Sequence, residues 1–296
     1  MPNLKDIKTR ISSVKKTKQI TSAMKLVAGA KLRRATERAM SARPYRAQLS
    51  DVLRRVAGNV GDSTNEPLLQ SRPDVTKILV AVLTTDRGLC GGFNSNLLRK
   101  ANPWLKDRSA SGVDVDVAVF GRKGSDYLKS RGVAIGERTV DYGKEDKMDL
   151  VRPLTAKMVA GFLDGTYDEV WIVFNQFVNA LVQEPTFTRV LPIAIDDSET
   201  DAPASNEAQS QIEYRYEPSA DGVLKALLPL YLRTLILTSF LETEAGEHAA
   251  RMTAMDNATR NASDLIDRLT LEFNRARQAA ITTEITEIVS GAEALK

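Results

Sequence analysis

Apolar residues recur at alternating steps of three and four from the start of the chain. One set runs Leu4, Ile11, Lys18, Lys25, Leu32, Ala39, Arg46 and Leu53. Its companion runs Ile7, Val14, Thr21, Ala28, Ala35, Ala42, Leu49 and Val56. This is the spacing of a coiled-coil seam sustained over about eight heptads. The ends of the seam are apolar. Its middle, Lys18, Thr21 and Lys25, is polar, and Ile20, Met24 and Val27 lie just beside it. A polar or small middle weakens helix pairing but lets a partner backbone come close. Pro44 is expected to kink the helix locally.

The other end of the chain repeats the pattern. Met252, Met255, Thr259, Ala262, Ile266, Leu269, Phe273, Ala276 and Ala280 keep the alternation, and Leu241, Ala245 and His248 extend it upstream. Leu224 to Leu241 is apolar nearly all round and is expected to be deeply buried, with Pro229 marking an early turn. Gly291 is the expected C-cap. A first helix of roughly 58 residues spans about 85 Å and a last helix of roughly 68 spans about 100 Å. Laid antiparallel, with the middle of the chain folded separately, the last helix overhangs by about two to four turns near Ile281 to Leu295. Ile281, Ile285, Ile288 and Val289 would then lack a partner within the chain, and such a tip calls for a hydrophobic sleeve in another protein.

Between the helices the period changes. Lys77 to Thr85, Val115 to Phe120 and Glu169 to Phe174 read as buried strands, alternating with helical stretches near 94–105, 123–131 and 151–164. That alternation predicts βαβ units and a mostly parallel sheet, with Phe187 to Ile195 as an antiparallel edge strand. Residues 196–211 are polar, acidic and without period, which reads as a mobile loop; Gly58 to Pro73 is the other linker. The expected organisation is a coiled-coil helix over 1–58, an α/β domain over 74–195, an acidic loop over 196–211 and a coiled-coil helix over 212–296.

Composition narrows the function. The chain has 296 residues, 43% hydrophobic and 27% charged, enough for one large or two small domains. Net charge is only +3, but residues 1–60 hold 15 Lys/Arg against 3 Asp/Glu, and residues 241–296 hold 6 against 10. The first end therefore carries a surplus of +12, which suits an acidic partner surface. Nucleic acid is the rival for that surplus, through Lys15, Lys16, Arg33, Arg34, Arg54 and Arg55. No aromatic residues interleave with these, no nucleic-acid module is present, and no nucleic-acid partner is expected. No apolar run approaches the ~20 residues of a bilayer span, so direct insertion into a membrane is not expected either. The basic, amphipathic N-terminus has the look of a transit peptide, but the coiled-coil pattern continues through it unbroken.

Chemistry-bearing residues are few. Cys90 is the sole cysteine and His248 the sole histidine, so neither a disulfide nor the usual zinc site can form within the chain, and a reducing compartment is favoured. The run Thr84 to Asn94 is a Gly-rich turn between a strand and a helix, where phosphates often sit. It matches neither phosphate-binding fingerprint, so a tight structural or docking turn built on Asp86, Arg87, Gly88, Gly91 and Gly92 is the better reading. Cys90 lies in that turn beside Arg87, without a histidine to activate it. No cofactor, metal or catalytic residue is expected. A small enzyme on an α/β domain with a coiled-coil arm is the remaining alternative.

Four runs are also familiar in sequence. Ile7 to Arg34, Thr85 to Asn94, Glu247 to Thr259 and Ile281 to Leu295, in that order, resemble the gamma subunit family of bacterial rotary F-type ATP synthases. The resemblance implies an α+β fold overall: a long antiparallel coiled coil of the N- and C-terminal helices plus a Rossmann-like α/β middle domain that binds no nucleotide. It implies a non-catalytic central rotor shaft. The coil would turn inside a hexameric ring of alpha and beta subunits, while the middle domain and lower coil dock on the epsilon subunit and the membrane c-ring. Carried over by position, the ring contacts would be Met24, Lys25, Arg251, Gln278, Thr282, Glu284 and Glu287. The implied location is peripheral, on the cytoplasmic side of the cell inner membrane. With Cys90 alone, the paired-cysteine redox switch of the chloroplast form cannot operate. The lack of a presequence suggests a bacterial protein.

Overall fold

Strand β1 (Lys77–Leu83) is buried from Ile78 onward, and its side chains divide by alternation. Leu79, Ala81 and Leu83 enter one apolar cluster; Ile78, Val80 and Val82 enter another. A continuous apolar run is what a parallel strand covered on both faces requires. β2 (Asp114–Phe120) and β4 (Glu169–Phe177) pair parallel to β1 on either side. β3 (Glu137–Thr139) pairs parallel to β2, and β5 (Gln183–Leu191) pairs antiparallel to β4, giving the order β3-β2-β1-β4-β5. The computed structural model describes residues 4–60, 66–144, 146–194, 216–217 and 219–293. The acidic segment 196–211 and the linker core 61–65 lie outside them.

Helices α2 (Phe93–Ala110) and α3 (Arg122–Ser130) cover one face through Leu97, Leu98, Ala101, Leu105 and Leu128. The other face is covered by α4 (Lys147–Leu163) through Val151, Leu154, Met158 and Phe162. It is also covered by parts of the two long helices: Leu49, Leu53 and Val56 of α1 (Leu4–Val60), and Leu224 to Phe240 of α5 (Ala220–Glu293). The stretch of α5 from Leu224 is long and apolar enough to cross a membrane by length and composition, contrary to the sequence reading. Its apolar surface is spent instead on the sheet, with Leu224, Leu228, Leu232, Leu235, Ile236 and Phe240 all buried there.

The edge strand differs from expectation. β5 starts at Gln183, not Phe187, because the hairpin turn is short: the Asn179 side chain accepts from the backbone N–H of Leu181 and Val182 at 2.8 and 2.9 Å. β3 was not expected at all, since three residues of Glu-Arg-Thr carry no apolar alternation. α5 begins at Ala220, takes Pro229 inside it, and continues past Gly291 to Glu293, so Gly291 is not its cap. Pro44 likewise lies inside an unbroken α1.

By compactness the chain forms two units, Lys31–Ala250 and the pair of segments Met1–Ala30 and Arg251–Lys296. The second unit is a two-helix coil. Its described seam residues, Leu4 to Ala28 and Met252 to Ala280, are all buried or half-buried, with Ile7, Ala28, Met255 and Leu269 almost fully covered. Lys18 Nζ meets Ser263 Oγ at 2.8 Å, Thr259 Oγ1 meets Thr21 Oγ1 at 2.8 Å, and Lys25 Nζ meets Asp256 Oδ1 at 2.6 Å. A Cβ on Gly29 would touch Met252 Sδ at 3.5 Å. Partners fall from 263 to 252 as α1 rises from 18 to 29, so the helices are antiparallel. The polar middle of the seam is thus paired polar to polar, which sets register where apolar knobs are missing.

Candidate partner interface

The residues singled out on the coil separate into two groups. Met24 and Lys25 on α1 and Arg251 on α5 are half-buried, within about two turns of one another by the seam register. Lys25 is committed to Asp256, which also accepts from Arg260 at 2.6 Å. Gln278, Thr282, Glu284 and Glu287 are exposed, and Thr282 Oγ1 donates to the Gln278 carbonyl at 2.9 Å. The 22 residues of helix from Asp256 to Gln278 put this second group roughly 33 Å further along.

Continuing the seam register places Leu4 opposite about residue 277, and Ala280 is the last half-buried residue of α5. From Ile281 through Ala292 every residue is exposed, a stretch of about three turns. It carries Ile281, Ile285, Ile288 and Val289 at 46%, 56%, 71% and 56% exposure. α1 adds a second apolar surface that the sequence reading did not count as site residues: Ile20, Leu26 and Val27, 58–72% exposed. Ile20 and Val27 had been noted as flanking the seam, and seam spacing alone marks them as outward-facing. Of the basic residues there, Lys15 and Lys16 are exposed, whereas Lys18 belongs to the seam.

The Gly-rich turn follows β1 and serves α3. Arg122 N–H donates to Asp86 Oδ1 at 3.0 Å, Lys123 N–H to the Thr85 carbonyl at 3.0 Å, and Gly124 N–H to Thr84 Oγ1 at 2.9 Å. The first N–H groups of α3 are therefore taken by the chain itself. Asp86 caps the first of them, Arg122 N–H, from another segment. Arg87 is exposed, and its carbonyl accepts from Thr85 Oγ1 at 2.7 Å. Leu89 and Gly91 both lie at positive φ, 63° and 56°, which Leu89 adopts while 65% exposed. Gly121, at φ 97°, was missed by sequence; a Cβ there would fall 2.5 Å from the Thr84 carbonyl oxygen. Cys90 is buried, with its Sγ 3.4 Å from Asn94 Nδ2.

In a sheet of this order the ligand crevice lies beyond the carboxyl ends of the strands, where the order reverses between β1 and β4. Here α5 fills that place. Phe240 packs edge-on against Phe120 and Tyr142, at centroid distances of 5.1 and 5.8 Å. A Cβ on Gly246 would come within 2.8 Å of Phe93 and 3.2 Å of Gln183. Tyr142 donates its hydroxyl proton to the Thr84 carbonyl, and burial pushes its pKa well above the ordinary value, with Glu247, Asp86 and Glu244 adding to the rise. Among the described residues no cluster of three or more His, Cys, Asp or Glu side chains could hold a metal.

Two carboxylates of α5 that sequence reasoning missed, Glu242 and Glu244, tie it to α1 and to the α/β layer. Arg43 of α1 donates from Nε to Glu242 Oε1 at 3.1 Å and from its terminal nitrogen to the Phe177 carbonyl; Phe177 N–H donates to Glu242 Oε2 at 3.2 Å. Arg38 of α1 pairs with Glu244 at 3.1 Å, and Glu244 Oε2 is 4.0 Å from Lys147 Nζ of α4. His248, half-buried one turn on, has Nε2 at 4.0 Å from Glu244 Oε1. Apart from Glu244 and His248, these partners stand 65 to 206 residues apart in sequence and leave no local signal.

Residues 3–295 match the family model described as ATP synthase. The chain is 47% identical over 296 residues to the ATP synthase gamma chain of Pelotomaculum thermopropionicum, covering all of both chains. It is 44% identical over 295 residues to that of Heliobacterium modesticaldum, again covering all of both. In fold it is similar to a chain of the Euglena gracilis mitochondrial ATP synthase OSCP/F1/c-ring structure, with a TM-score of 0.65, 20% identity and coverage of 99% of this chain and 94% of that one. A chain of the Tetrahymena thermophila mitochondrial ATP synthase central stalk/c-ring structure gives 0.61 at 22% identity, covering 81% and 99%.

Proposed function

The chain belongs to the ATP synthase gamma-chain family, and on that premise we propose that it is the central rotor shaft of the complex. It couples rotation of a membrane c-ring to nucleotide exchange on surrounding catalytic subunits. The observation that carries this reading is the end of α5: about three turns of single helix, with four large apolar side chains exposed and uncovered by the rest of the coil. An isolated apolar helix end in water is unfavourable unless a partner encloses it. A ring of alpha and beta subunits is an enclosure of the right kind.

An asymmetric coil inside a near-threefold ring meets each beta subunit differently. Those differences bias each site toward open or closed, so that turning the coil and exchanging nucleotide become one coupled process. Met24, Lys25 and Arg251 would meet the ring at one level; Gln278, Thr282, Glu284 and Glu287 would meet it deeper in. The exposed basic pair Lys15 and Lys16 would face acidic surface on beta. The shaft has no catalytic role of its own, since ATP chemistry resides in the beta subunits. The α/β layer and the adjoining coil, with the turn of Asp86, Arg87, Gly88, Gly91 and Gly92, would dock on the epsilon subunit and the c-ring. The location of the protein would then be peripheral, on the cytoplasmic side of the cell inner membrane.

Co-expression with the alpha and beta subunits of the same organism tests the reading. Co-purification of all three, with ATP hydrolysis that needs this chain for full rate, is expected. Recovery of the alpha–beta ring without this chain at equimolar expression would refute it.

A further inference from the structure

We propose that Glu242 and Glu244 are positioning residues that lock α5 in rotation against α1 and the α/β layer, so that torque passes through this junction without slip; the proposal rests on the shaft reading above. Each carboxylate faces two partners: Glu242 through hydrogen bonds on both oxygens, Glu244 through a hydrogen bond on one and a longer, 4.0 Å ion pair on the other. Glu242 holds Arg43 of α1 on one oxygen and the backbone N–H of Phe177, the last residue of β4, on the other. Glu244 holds Arg38 of α1 on one oxygen and faces Lys147 of α4 with the other. Lys147 in turn donates to the Tyr142 carbonyl at 3.2 Å.

Two residues along a helix correspond to about 200° around its axis. The two bridges therefore leave α5 on nearly opposite sides and within about 3 Å along its length. A turn of α5 about its axis strains both at once, in opposite tangential directions, so together they resist as a couple where a single bridge would act as a pivot. Phe240 holds α5 to the α/β side through Phe120 and Tyr142, but the apolar contacts between α5 and α1 at this level do little to stop a turn. Ala35, Ala39, Ala245 and Ala249 pack there around Leu241 and Phe177, and alanines interlock little. Stability alone does not explain the charges either. The Glu242 side chain is 5% exposed, and a buried carboxylate pays a desolvation penalty that an apolar pair would avoid. What a charged, hydrogen-bonded bridge supplies is one defined geometry.

The test uses the complete complex, with alpha, beta, epsilon and c-ring subunits, reconstituted in liposomes. ATP hydrolysis and ATP-driven proton uptake are measured on the same vesicles for wild type, Arg38→Gln, Glu242→Gln and the double variant Glu242→Gln/Glu244→Gln. Each is assayed well below its own melting temperature. The protons taken up per ATP hydrolysed should fall on the order of threefold in the double variant, as when a coupling network is cut, and less in Arg38→Gln. A ratio equal to wild type in every folded variant, even with lowered Tm, would mean a merely structural role and overturn the proposal. If the double variant does not assemble, Arg38→Gln decides, because that side chain is 55% exposed and its loss spares the core. Failure of the wild-type chain to assemble or pump would instead sink the shaft reading.

Discussion

Lys25 Nζ lies 2.6 Å from Asp256 Oδ1, across the seam from α1 to α5. The bond from Lys25 is the main influence holding the Asp256 carboxyl below its usual range, against a smaller opposing effect of desolvation and with help from Arg260. A carboxyl with a depressed folded pKa stabilises the fold above its unfolded value of about 3.9 and loses that contribution as pH falls through the folded value. Lys25→Met should therefore raise the Asp256 pKa toward the ordinary range and shift the onset of acid unfolding of the coil upward in pH. Carboxyl-carbon NMR titration of the full chain reads this directly. An unchanged titration would assign the whole effect to Arg260.

Asp168 makes a denser set of bonds at the entry to β1 and β4. Its Oδ2 accepts from Thr76 N–H at 2.7 Å, Thr76 Oγ1 at 2.8 Å and Lys77 N–H at 3.0 Å, and its Oδ1 accepts from Arg72 at 2.9 Å. Burial pushes its pKa up, but the bonds from Lys77, Arg72 and Thr76 outweigh burial and hold it far below the usual range. The stabilisation is fully present above about pH 3.9 and is lost as pH drops below that. Asp168→Asn should cost about 3 kcal/mol near neutral pH, since it strips a mostly buried ion pair of its charge. Urea unfolding of the two proteins, near neutrality and again in acid, should show the gap closing as pH falls. A gap independent of pH would contradict the assignment.

What could be read from sequence followed from periodicity. The 3-4 alternation located both halves of the coil because every described seam residue in it is at least half-buried. The apolar runs located β1, β2 and β4 because strands covered on both faces must be apolar throughout. β3 was invisible because its three residues, Glu137–Thr139, are polar, and it is held at the edge by backbone pairing to β2 and by the ion pairs Glu137–Lys157 and Arg138–Asp126 rather than by apolar packing. Lys18, Thr21 and Lys25 looked like a weak point because sequence cannot show that Ser263, Thr259 and Asp256 stand opposite them. The glycine-rich turn was legible as a turn. That its Thr84, Thr85 and Asp86 cap α3 was not, because the capped N–H groups lie over thirty residues away.

The basic surface of α1 can be tested without disturbing the seam. Lys15 and Lys16 are exposed, whereas Lys18 donates to Ser263, so only the first two should be reversed. Lys15→Glu with Lys16→Glu lowers the surplus of residues 1–60 from +12 to +8, two units per reversal. Exposed substitutions of this kind should change stability by no more than about 0.5 kcal/mol. Proton-driven ATP synthesis in the reconstituted complex should drop more than the yield of assembled complex, with the deficit shrinking at high salt as screening weakens the lost attraction. Synthesis at the wild-type rate would remove this pair from the contact surface.

The uncovered end of α5 gives the sharpest separation between folding and assembly. Ile285 and Ile288 are 56% and 71% exposed, so replacing both with Ser removes little buried surface from the free chain. Melting of the isolated chain should stay within about 0.5 kcal/mol of wild type. Inside an apolar sleeve the same side chains would be buried, each contributing about 1.5 kcal/mol or more. Because about 1.4 kcal/mol is tenfold in affinity, the double variant should lose roughly a hundredfold in competition with wild type for the alpha–beta ring. Equal incorporation of the two chains, with equal melting, would mean that the apolar end of α5 is not enclosed by that ring and that another partner must cover it.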